Sequence, residues 1–415
     1  MTSDGLAGRR RLAAVGALGV TQIIGYGTLY YSYAILAPAM ARDIGLPLEW
    51  VFGILSAGLL AGALLAPTAG KLADRYGAAR LMAVGSPAAA AALLVCAFAP
   101  GQAGFALGVL AMELASCFVL YSTAFVALVQ VGGRNAQKSI IHLTLIAGFA
   151  STAFWPLTSA LQAELDWREI LALFAALNLL VCLPLHLWLA AVSRRHRRDE
   201  IELPTTAAPL AAGVTWSSVF LLALAGFAVE GLVLTAVLVQ MVPLLAAVGL
   251  GTSAVFVGTL FGPSQVASRL INMLFGAGVP QTWLAVVASL SLAAGLAVLL
   301  LTAPSLAGAV AFAILFGMGS GLMSIVGGSL PLELFGRSAY GAYVGWLSAA
   351  RQFTSAFAPF GLALLAAGFG TFTALWLTAG LGIAGVATFA AMALTHRRRI
   401  TNGIDKPPSL GGEVL

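Results

Sequence analysis

Charged residues are scarce in this chain of 415 residues: Asp, Glu, Lys and Arg together make up 9% of it, and hydrophobic residues make up 60%. A soluble globular domain carries about 25% charged residues. The shortage of charge therefore excludes an ordinary soluble domain and favours a membrane protein.

Reactive side chains are also few, since the chain has 3 cysteines and 4 histidines. Cys96, Cys117 and Cys182 lie in apolar stretches without the paired spacing of a metal site. We interpret them as small buried hydrophobic residues, and a role in binding a soft metal or metalloid stays open. The sequence contains no phosphate-binding loop, nucleotide site or catalytic triad. We therefore expect neither an enzyme nor a primary pump, and we expect no metal and no cofactor.

Long apolar runs fill the chain between polar, proline and glycine breaks. Each run is close to or above the ~20 residues that a helix needs to cross a bilayer core of ~30 Å. The runs are 12–37, 51–70, 79–98, 104–129, 139–161, 170–192, 217–244, 253–275, 283–302, 307–332, 340–367 and 371–394. They predict an all-α membrane protein with twelve transmembrane helices.

The orientation follows from the basic residues, because short cytoplasmic loops carry the excess of lysine and arginine. With the N-terminus inside, the cytoplasmic side collects the clusters at 9–11, 194–198 and 397–399, and the outer loops keep only Arg42 and Arg168. We therefore predict cytoplasmic N- and C-termini in a multi-pass protein of the plasma (cell inner) membrane. This topology accounts for the net charge of +6 without a nucleic-acid partner.

The one long hydrophilic interruption divides the predicted helices into six and six. It predicts an N-terminal six-helix bundle, a cytoplasmic linker, a C-terminal six-helix bundle and a cytoplasmic tail. These segments are residues 1–192, 193–216, 217–395 and 396–415. Two such halves with a substrate site near the bilayer midplane are a known plan for transporters.

The loop after the second predicted helix reads Gly-Lys-Leu-Ala-Asp-Arg-Tyr-Gly-Ala-Ala-Arg from residue 70 to residue 80. It resembles the signature G-x-L-x-D-R-x-G-x-x-R of the major facilitator superfamily. The resemblance implies that family's fold and a secondary transporter driven by gradients. It also implies a gating loop that does not touch substrate, made by Gly70, Asp74, Arg75, Gly77 and Arg80. The equivalent loop of the second half, near 276–281, lacks the acid and the arginines.

Four ionisable residues lie deep in the apolar runs: Glu113, Glu230, Arg269 and Arg351. A charge at mid-bilayer depth costs roughly 2.5–3.5 kcal/mol on insertion scales, so such residues usually face a partner or a water-filled cavity. They fall in the fourth, seventh, eighth and eleventh predicted helices. The resemblance implies that these four helices line the central cavity.

Two arginines suggest a site for an anion, because the guanidinium fork matches a carboxylate. Arg269 and Arg351 resemble the basic residues that hold the substrate in the oxalate/formate antiporter and monocarboxylate transporter branch. An alternative is a structural ion pair between Arg351 and Glu230. Because a low dielectric disfavours a charged carboxyl, Glu230 and Glu113 are candidates for proton coupling. A hydrogen-bonded structural carboxyl is equally open for Glu113.

The first predicted helix carries polar residues at spacings of four, four and three, which places them on one face. They are Gln22, Tyr26, Tyr30 and Tyr33. We favour Gln22 and Tyr26 as residues that line the substrate cavity. The glycine-rich run from Gly317 to Gly321 more often marks close helix packing than binding.

We therefore expect a monomeric secondary transporter whose partners are a small solute, the lipid bilayer and, in a coupled cycle, protons. The favoured substrate is a small anion such as a monocarboxylate. A first alternative is an efflux transporter for a toxic small solute, either a drug or a trivalent metalloid such as arsenite. A second alternative, from another class, is a membrane sensor or scaffold without transport activity.

Overall fold

The computed structural model describes residues 3–201, 214–276 and 278–402, and every regular element within them is a helix. Residues 202–213 of the predicted linker and residues 403–415 of the predicted tail lie outside the described residues. Ala277, in the loop equivalent to the gating loop, also lies outside them. The expectation of an all-α protein is confirmed for the part of the chain that the structure describes.

Residues 3–201 contain ten α-helical segments, and the last of them extends into the predicted linker. They are α1 Ser3–Tyr26, α2 Ser32–Ile44, α3 Leu48–Tyr76, α4 Ala78–Ala97, α5 Gln102–Val119, α6 Tyr121–Gly132, α7 Ala136–Ala147, α8 Ala150–Leu161, α9 Trp167–Leu177 and α10 Leu183–Ile201. Turns of π-helix occupy Gly27–Tyr31 and Asn178–Cys182.

The helices after the predicted linker are longer on average. They are α11 Ser218–Val239, α12 Met241–Leu245, α13 Ser253–Thr259, α14 Phe261–Phe275, α15 Gln281–Thr302, α16 Leu306–Phe335, α17 Tyr340–Phe369 and α18 Thr371–Thr401. A further π-helical turn occupies Ala246–Leu250.

Contacts divide the chain into two compact units, each with its own hydrophobic core. The first unit comprises Met1–Gly213 and Arg337–Ala349, and the second comprises Val214–Gly336 and Ala350–Leu415. Buried residues such as Phe105 and Phe174 form the core of the first unit. Phe312 and Leu375 belong to the core of the second. The limits of the two six-helix bundles drawn from the sequence stay predictions.

Eleven helical segments of the described residues are long and apolar enough to cross a membrane. The predicted stretch 253–275 is not among them, because it is broken at Leu260 into α13, of 7 residues, and α14, of 15 residues. The chain is therefore a multi-pass membrane protein. The count of twelve spans and the cytoplasmic position of the termini stay predictions.

The π-helical turn Gly27–Tyr31 changes the register of the first predicted span. A π-turn adds one residue to the helical repeat, so residues beyond it rotate away from the face they would share in a continuous α-helix. Tyr30 is 37% exposed, whereas Tyr33 is 3% exposed. The Tyr33 hydroxyl donates a hydrogen bond of 2.8 Å to the Val51 carbonyl. The single polar face expected from residue 22 to residue 33 is therefore wrong beyond Tyr26.

Candidate functional site

Arg269 lies on α14 in the second unit and is buried against α16. Its Nε donates to the Gly321 carbonyl at 3.3 Å, and its Nη2 donates to Gln265 Oε1 at 3.4 Å. The Gln265 amide in turn donates to Ser320 Oγ at 3.0 Å. The sequence did not predict that Gln265 or Ser320 belongs to the site. Gln265 could have been found, because it precedes Arg269 by one helical turn and so shares its face.

The close approach of α14 and α16 depends on two glycines spaced four residues apart. A Cβ at Gly317 would lie 2.7 Å from the Phe261 carbonyl oxygen. A Cβ at Gly321 would collide with the Ser268 hydroxyl and the Gln265 backbone. Small residues at this spacing allow helix backbones to approach closely. The packing role predicted for the glycine-rich run is confirmed, and this packing brings the Gly321 carbonyl to Arg269.

Arg351 lies on α17 and is half-buried. Its aliphatic stem packs on α11, where a Cβ at Gly231 would lie 2.6 Å from Arg351 Cγ. Its guanidinium has no hydrogen-bond or ion-pair partner among the residues that the structure describes. A guanidinium inside a membrane span is costly unless it meets a counter-charge or water. Its donors are therefore available to an anion.

Glu230 lies on α11 and is 1% exposed. Its Oε1 accepts a short hydrogen bond from the Ser289 hydroxyl of α15. Gly385 of α18 lies so close to this carboxyl that a Cβ there would collide with it. The other carboxyl oxygen, Oε2, is buried without a hydrogen-bond partner. Glu230 therefore faces α15 and α18.

The alternative ion pair between Glu230 and Arg351 does not form. Within the described ranges, the one ion pair closer than 4.0 Å joins Arg168 to Asp43, at 2.9 Å. Glu230 and its neighbour Gly231 point to different helices: Glu230 contacts α15, and Gly231 contacts Arg351 on α17. Among the residues that the structure describes, none in the second unit neutralises Arg351.

Gln22 on α1 is fully buried in the first unit and compensates a break in a neighbouring segment. Its Nε2 donates a hydrogen bond of 2.7 Å to the Val119 carbonyl. That carbonyl ends α5, because Leu120 is extended at φ −87° and ψ −170° and interrupts the helix. A carbonyl at a helix end needs a partner from elsewhere. Gln22 supplies it, and its own Oε1 remains buried without a partner.

Tyr26 belongs to an aromatic cluster that we define as Tyr26, Tyr31, Tyr121, Phe125 and Trp155. Ring centroids lie 4.8 Å apart for Tyr26 and Tyr121, 6.2 Å for Tyr26 and Tyr31, and 6.3 Å for Tyr31 and Trp155. Tyr121 stacks on Phe125 at 5.0 Å. Tyr26 and Tyr31 are five residues apart, and the intervening π-helical turn explains why their rings meet. The α-helical spacing of three or four residues would not have placed Tyr31 on the same helix face as Tyr26.

Glu113 on α5 is 5% exposed. Its Cβ and Cγ pack on α3 at Gly58, where a Cβ would lie 2.8 Å from Glu113 Cγ. Its carboxyl makes no hydrogen bond to the residues that the structure describes. Glu113 therefore differs from Glu230, whose carboxyl is held by a serine.

Asp74 lies near the C-terminal end of α3 and contacts the first turn of α17. Its Oδ1 accepts a hydrogen bond from the Gly341 amide and its Oδ2 accepts one from the Ala342 amide, each at 2.9 Å. The first amides of a helix lack partners within it and carry a partial positive charge. A carboxylate satisfies both needs, so Asp74 holds this helix end.

The other residues of the predicted gating loop lie on either side of Asp74 in the chain. Gly70 and Gly341 approach so closely that a Cβ on either would meet the carbonyl oxygen of the other. Gly77 has φ +94°, a conformation that side chains rarely adopt. Arg75 lies over the Tyr76 ring at 5.2 Å. Arg80 is exposed at the start of α4.

Gln130 near the end of α6 joins α3 to α4, the two helices that meet within the predicted gating loop. Its Oε1 accepts from the Ala78 amide and its Nε2 donates to the Ala73 carbonyl, both at 3.0 Å. In the second unit, Glu333 near the end of α16 accepts from the Gln281 amide of α15 at 2.6 Å. Nothing in the local sequence pointed to either residue, because each partner lies about fifty residues away.

Known proteins resemble this chain both at the level of a family and at the level of the fold. A family model of the Major Facilitator Superfamily matches residues 18–359. No curated protein sequence matches the chain.

A crystal structure of the human organic anion transporter MFSD10 has a TM-score of 0.70 and 17% identity, covering 92% of this chain and 99% of that one. The proton:xylose symporter XylE has a TM-score of 0.67 and 12% identity, covering 92% and 96%. FucP, in an outward conformation, has a TM-score of 0.64 and 12% identity, covering 93% and 98%. At such identities the likeness concerns the fold alone.

Proposed function

Because the chain belongs to the major facilitator superfamily, we propose that it is a secondary transporter that moves a small anion, such as a monocarboxylate, by alternating access. Arg351 and Arg269 are the residues that we assign to the anion, and Tyr26 is assigned to the lining of its path. Gln22 is assigned to the same lining, although it is fully buried in this structure, and it would reach the path in another state of the transport cycle. Transport is driven by gradients, and no enzymatic step is involved.

The observation that carries the proposal is the guanidinium of Arg351. It is half-buried in an apolar helix, without a counter-charge among the described residues. Arg269 differs from it, since its Nε and Nη2 are directed to Gly321 and Gln265. Arg351 therefore provides the main charge for a carboxylate, and Arg269 adds positive potential from a fixed position. Guanidinium and carboxylate match as a two-point fork.

The test is thermal stabilisation of the purified full chain by a panel of carboxylates, arsenite and cationic drugs. A ligand at 100 times its Kd contributes ~2.7 kcal/mol of stability. We expect a carboxylate to stabilise the protein and Arg351→Gln to abolish the effect, while the exposed Arg398→Gln retains it. Stabilisation by carboxylates that survives Arg351→Gln would refute the assignment of Arg351 to the anion.

A second candidate is efflux of a toxic solute, and the aromatic cluster is the observation that favours it. Tyr26, Tyr31 and Trp155 offer ring faces that suit an aromatic or cationic drug. The same panel separates the two proposals. Stabilisation by cationic drugs or arsenite alone, lost in Tyr26→Leu and retained in Arg351→Gln, would replace the anion proposal with efflux.

We also propose that transport is coupled to protons through Glu230 or Glu113. Glu230 is favoured because its Oε2 is buried without a partner, and this arrangement costs less when the carboxyl is neutral. Glu230→Gln mimics the protonated form. In proteoliposomes it is expected to retain substrate exchange and lose accumulation driven by a proton gradient, with Glu113→Gln as the matched variant. Accumulation that persists in both variants excludes coupling through either carboxyl.

The remaining parts of the proposal concern topology and gating. They comprise twelve spans in two six-helix bundles, cytoplasmic termini, a monomer in the plasma (cell inner) membrane, and a gating loop of Gly70, Asp74, Arg75, Gly77 and Arg80. Labelling of single introduced cysteines from each side of the membrane tests the topology, and a labelled terminus on the outer side would contradict it.

A further inference from the structure

A cavity of about 250 Å³ lies in the first unit, between the C-terminal ends of α3 and α6, the start of α4, the middle of α10 and Arg337, which precedes α17. It is separate from Gln22 and the aromatic cluster, and neither glutamate named above lines it. Its polar lining is formed by Tyr76, Arg80, Gln130, Ser193, Arg194 and Arg337. We call it the basic cavity.

The charge of the basic cavity is entirely positive. Three of its lining residues are arginines, and none of its lining residues is Asp or Glu. Arg80, Arg194 and Arg337 form no ion pair with the residues that the structure describes. Guanidinium groups gathered around one small volume repel one another, and an anion at their centre removes that repulsion. The lining is therefore complementary to an anion.

Part of this lining is already fixed in place. The Arg337 Nη2 donates a hydrogen bond of 2.9 Å to the Val129 carbonyl, which leaves the other nitrogens of the fork for a ligand. Gln130 is held at both ends of its amide by Ala78 and Ala73. Fixed donors lose less conformational entropy when they bind a ligand. The hydroxyl groups of Tyr76 and Ser193 add hydrogen-bonding capacity.

The size and chemistry of the basic cavity fit a phosphate group better than a larger ligand. Sites for drug-sized molecules occupy about 300–1,000 Å³, so this cavity is smaller than such a site. Arginine forks are well matched to phosphate oxygens. Just before the cavity, α10 exposes Leu187 and Trp188, at 53% and 40%. Acyl chains can pack on such a surface while a headgroup occupies the cavity.

We propose that the basic cavity binds a phosphate-bearing anion, held by Arg80, Arg194 and Arg337. The anion is either the headgroup of an anionic phospholipid or a soluble phosphate compound. Because Arg80 belongs to the gating loop and Arg337 precedes α17 by a few residues, the bound anion ties these two segments together. The site is independent of the transported substrate.

The experiment uses the purified full chain in a neutral detergent. Its thermal midpoint is followed during titration with inorganic phosphate, with phosphatidylglycerol, and with zwitterionic phosphatidylcholine, and KCl is matched to the ionic strength of the phosphate. Arg194→Gln and Arg337→Gln remove one donor fork each. Arg397→Gln, an exposed arginine at the end of α18, is the matched control. We expect each cavity variant to raise the half-saturating concentration about tenfold, and the control to leave it unchanged.

Three outcomes support the site and identify the source of the anion. Stabilisation by both phosphate and phosphatidylglycerol indicates recognition of the phosphate group from either source. Stabilisation by phosphatidylglycerol alone indicates a lipid site, and stabilisation by phosphate alone indicates a soluble ligand. In each case the cavity variants must weaken the effect.

Other outcomes overturn the proposal that the basic cavity binds a phosphate-bearing anion. They are an equal shift with KCl or phosphatidylcholine, cavity variants that titrate like the unsubstituted protein, or an equal loss in Arg397→Gln. Should a glutamine variant fail to fold, Arg194→Lys and Arg337→Lys keep the charge and lose the fork. We expect these lysine variants to weaken binding less than tenfold, and unchanged binding in both would count against the site.

Discussion

Replacing Asp74 by Asn tests the contact between the predicted gating loop and α17. Each carboxylate oxygen of Asp74 accepts one amide of the first turn of α17, from Gly341 and Ala342 at 2.9 Å. Asparagine keeps the shape and one acceptor but turns an NH2 group towards the second amide. The substitution therefore removes one hydrogen bond and the negative charge at a helix N-terminus, while the packing of Gly70 against Gly341 is unchanged.

The size of the effect follows from these two losses. A hydrogen bond to a charged group contributes about 1.5–3 kcal/mol, and a charge near a helix terminus contributes about 0.3–1 kcal/mol. We take about 2–3 kcal/mol for the sum, because Asp74 is only half-buried and solvent screens part of the interaction. At about 1.4 kcal/mol for each factor of ten, the local opening equilibrium shifts about 30- to 150-fold.

Hydrogen exchange of the purified full chain measures this equilibrium, since exchange of a protected amide reports the free energy of local opening. We expect the peptide covering 337–349 to exchange about 30- to 150-fold faster in Asp74→Asn. Arg75→Gln is the matched control: Arg75 is the next residue, is exposed, and contacts the Tyr76 ring. Exchange that is unchanged in Asp74→Asn, or equally faster in Arg75→Gln, would show that the carboxylate does not hold α17.

Three further substitutions probe the packing on which the candidate site depends. Gly321→Ala forces a Cβ into α14 and is expected to cost about 1–3 kcal/mol in thermal unfolding, whereas Gly262→Ala, with open space around it, should cost far less. Gln22→Leu leaves the Val119 carbonyl without its partner, so we expect a loss of about 1–3 kcal/mol by the same assay. Gly77→Ala places a side chain at φ +94° and should cost about 1–2 kcal/mol, and an unchanged thermal midpoint would contradict the requirement for glycine at this turn.

Features that repeat along the chain were predictable from the sequence. Apolar runs of sufficient length predict membrane helices wherever they occur, and all but the stretch 253–275 appear as helical segments long enough to span. The signature from Gly70 to Arg80 predicted the family, which the family model confirms. Both signals are local, since each can be read from one continuous segment of the chain.

Features that depend on distant partners or on small backbone defects were not predictable. The extended residue Leu120 carries no glycine or proline signal, and the Gln22 amide that compensates it comes from another helix. The π-helical turn Gly27–Tyr31 also lacks a local signature, yet it brings Tyr31, five residues along the chain, into contact with Tyr26. One extra residue in a helix rotates every side chain beyond it, so predictions of faces fail after such a defect.

In the two units, different side-chain groups accept hydrogen bonds from the first amides of comparable helices. In the first unit the neutral Gln130 accepts the Ala78 amide that begins α4, and the carboxylate of Asp74 serves α17. In the second unit Glu333 accepts the Gln281 amide that begins α15. The acid missing from the loop near 276–281 therefore has a counterpart on α16, where it stabilises a helix of its own unit. Asp74 is thus the carboxylate whose loss should loosen α17, whereas Glu333→Gln should weaken α15 and leave exchange of the α17 amides unchanged.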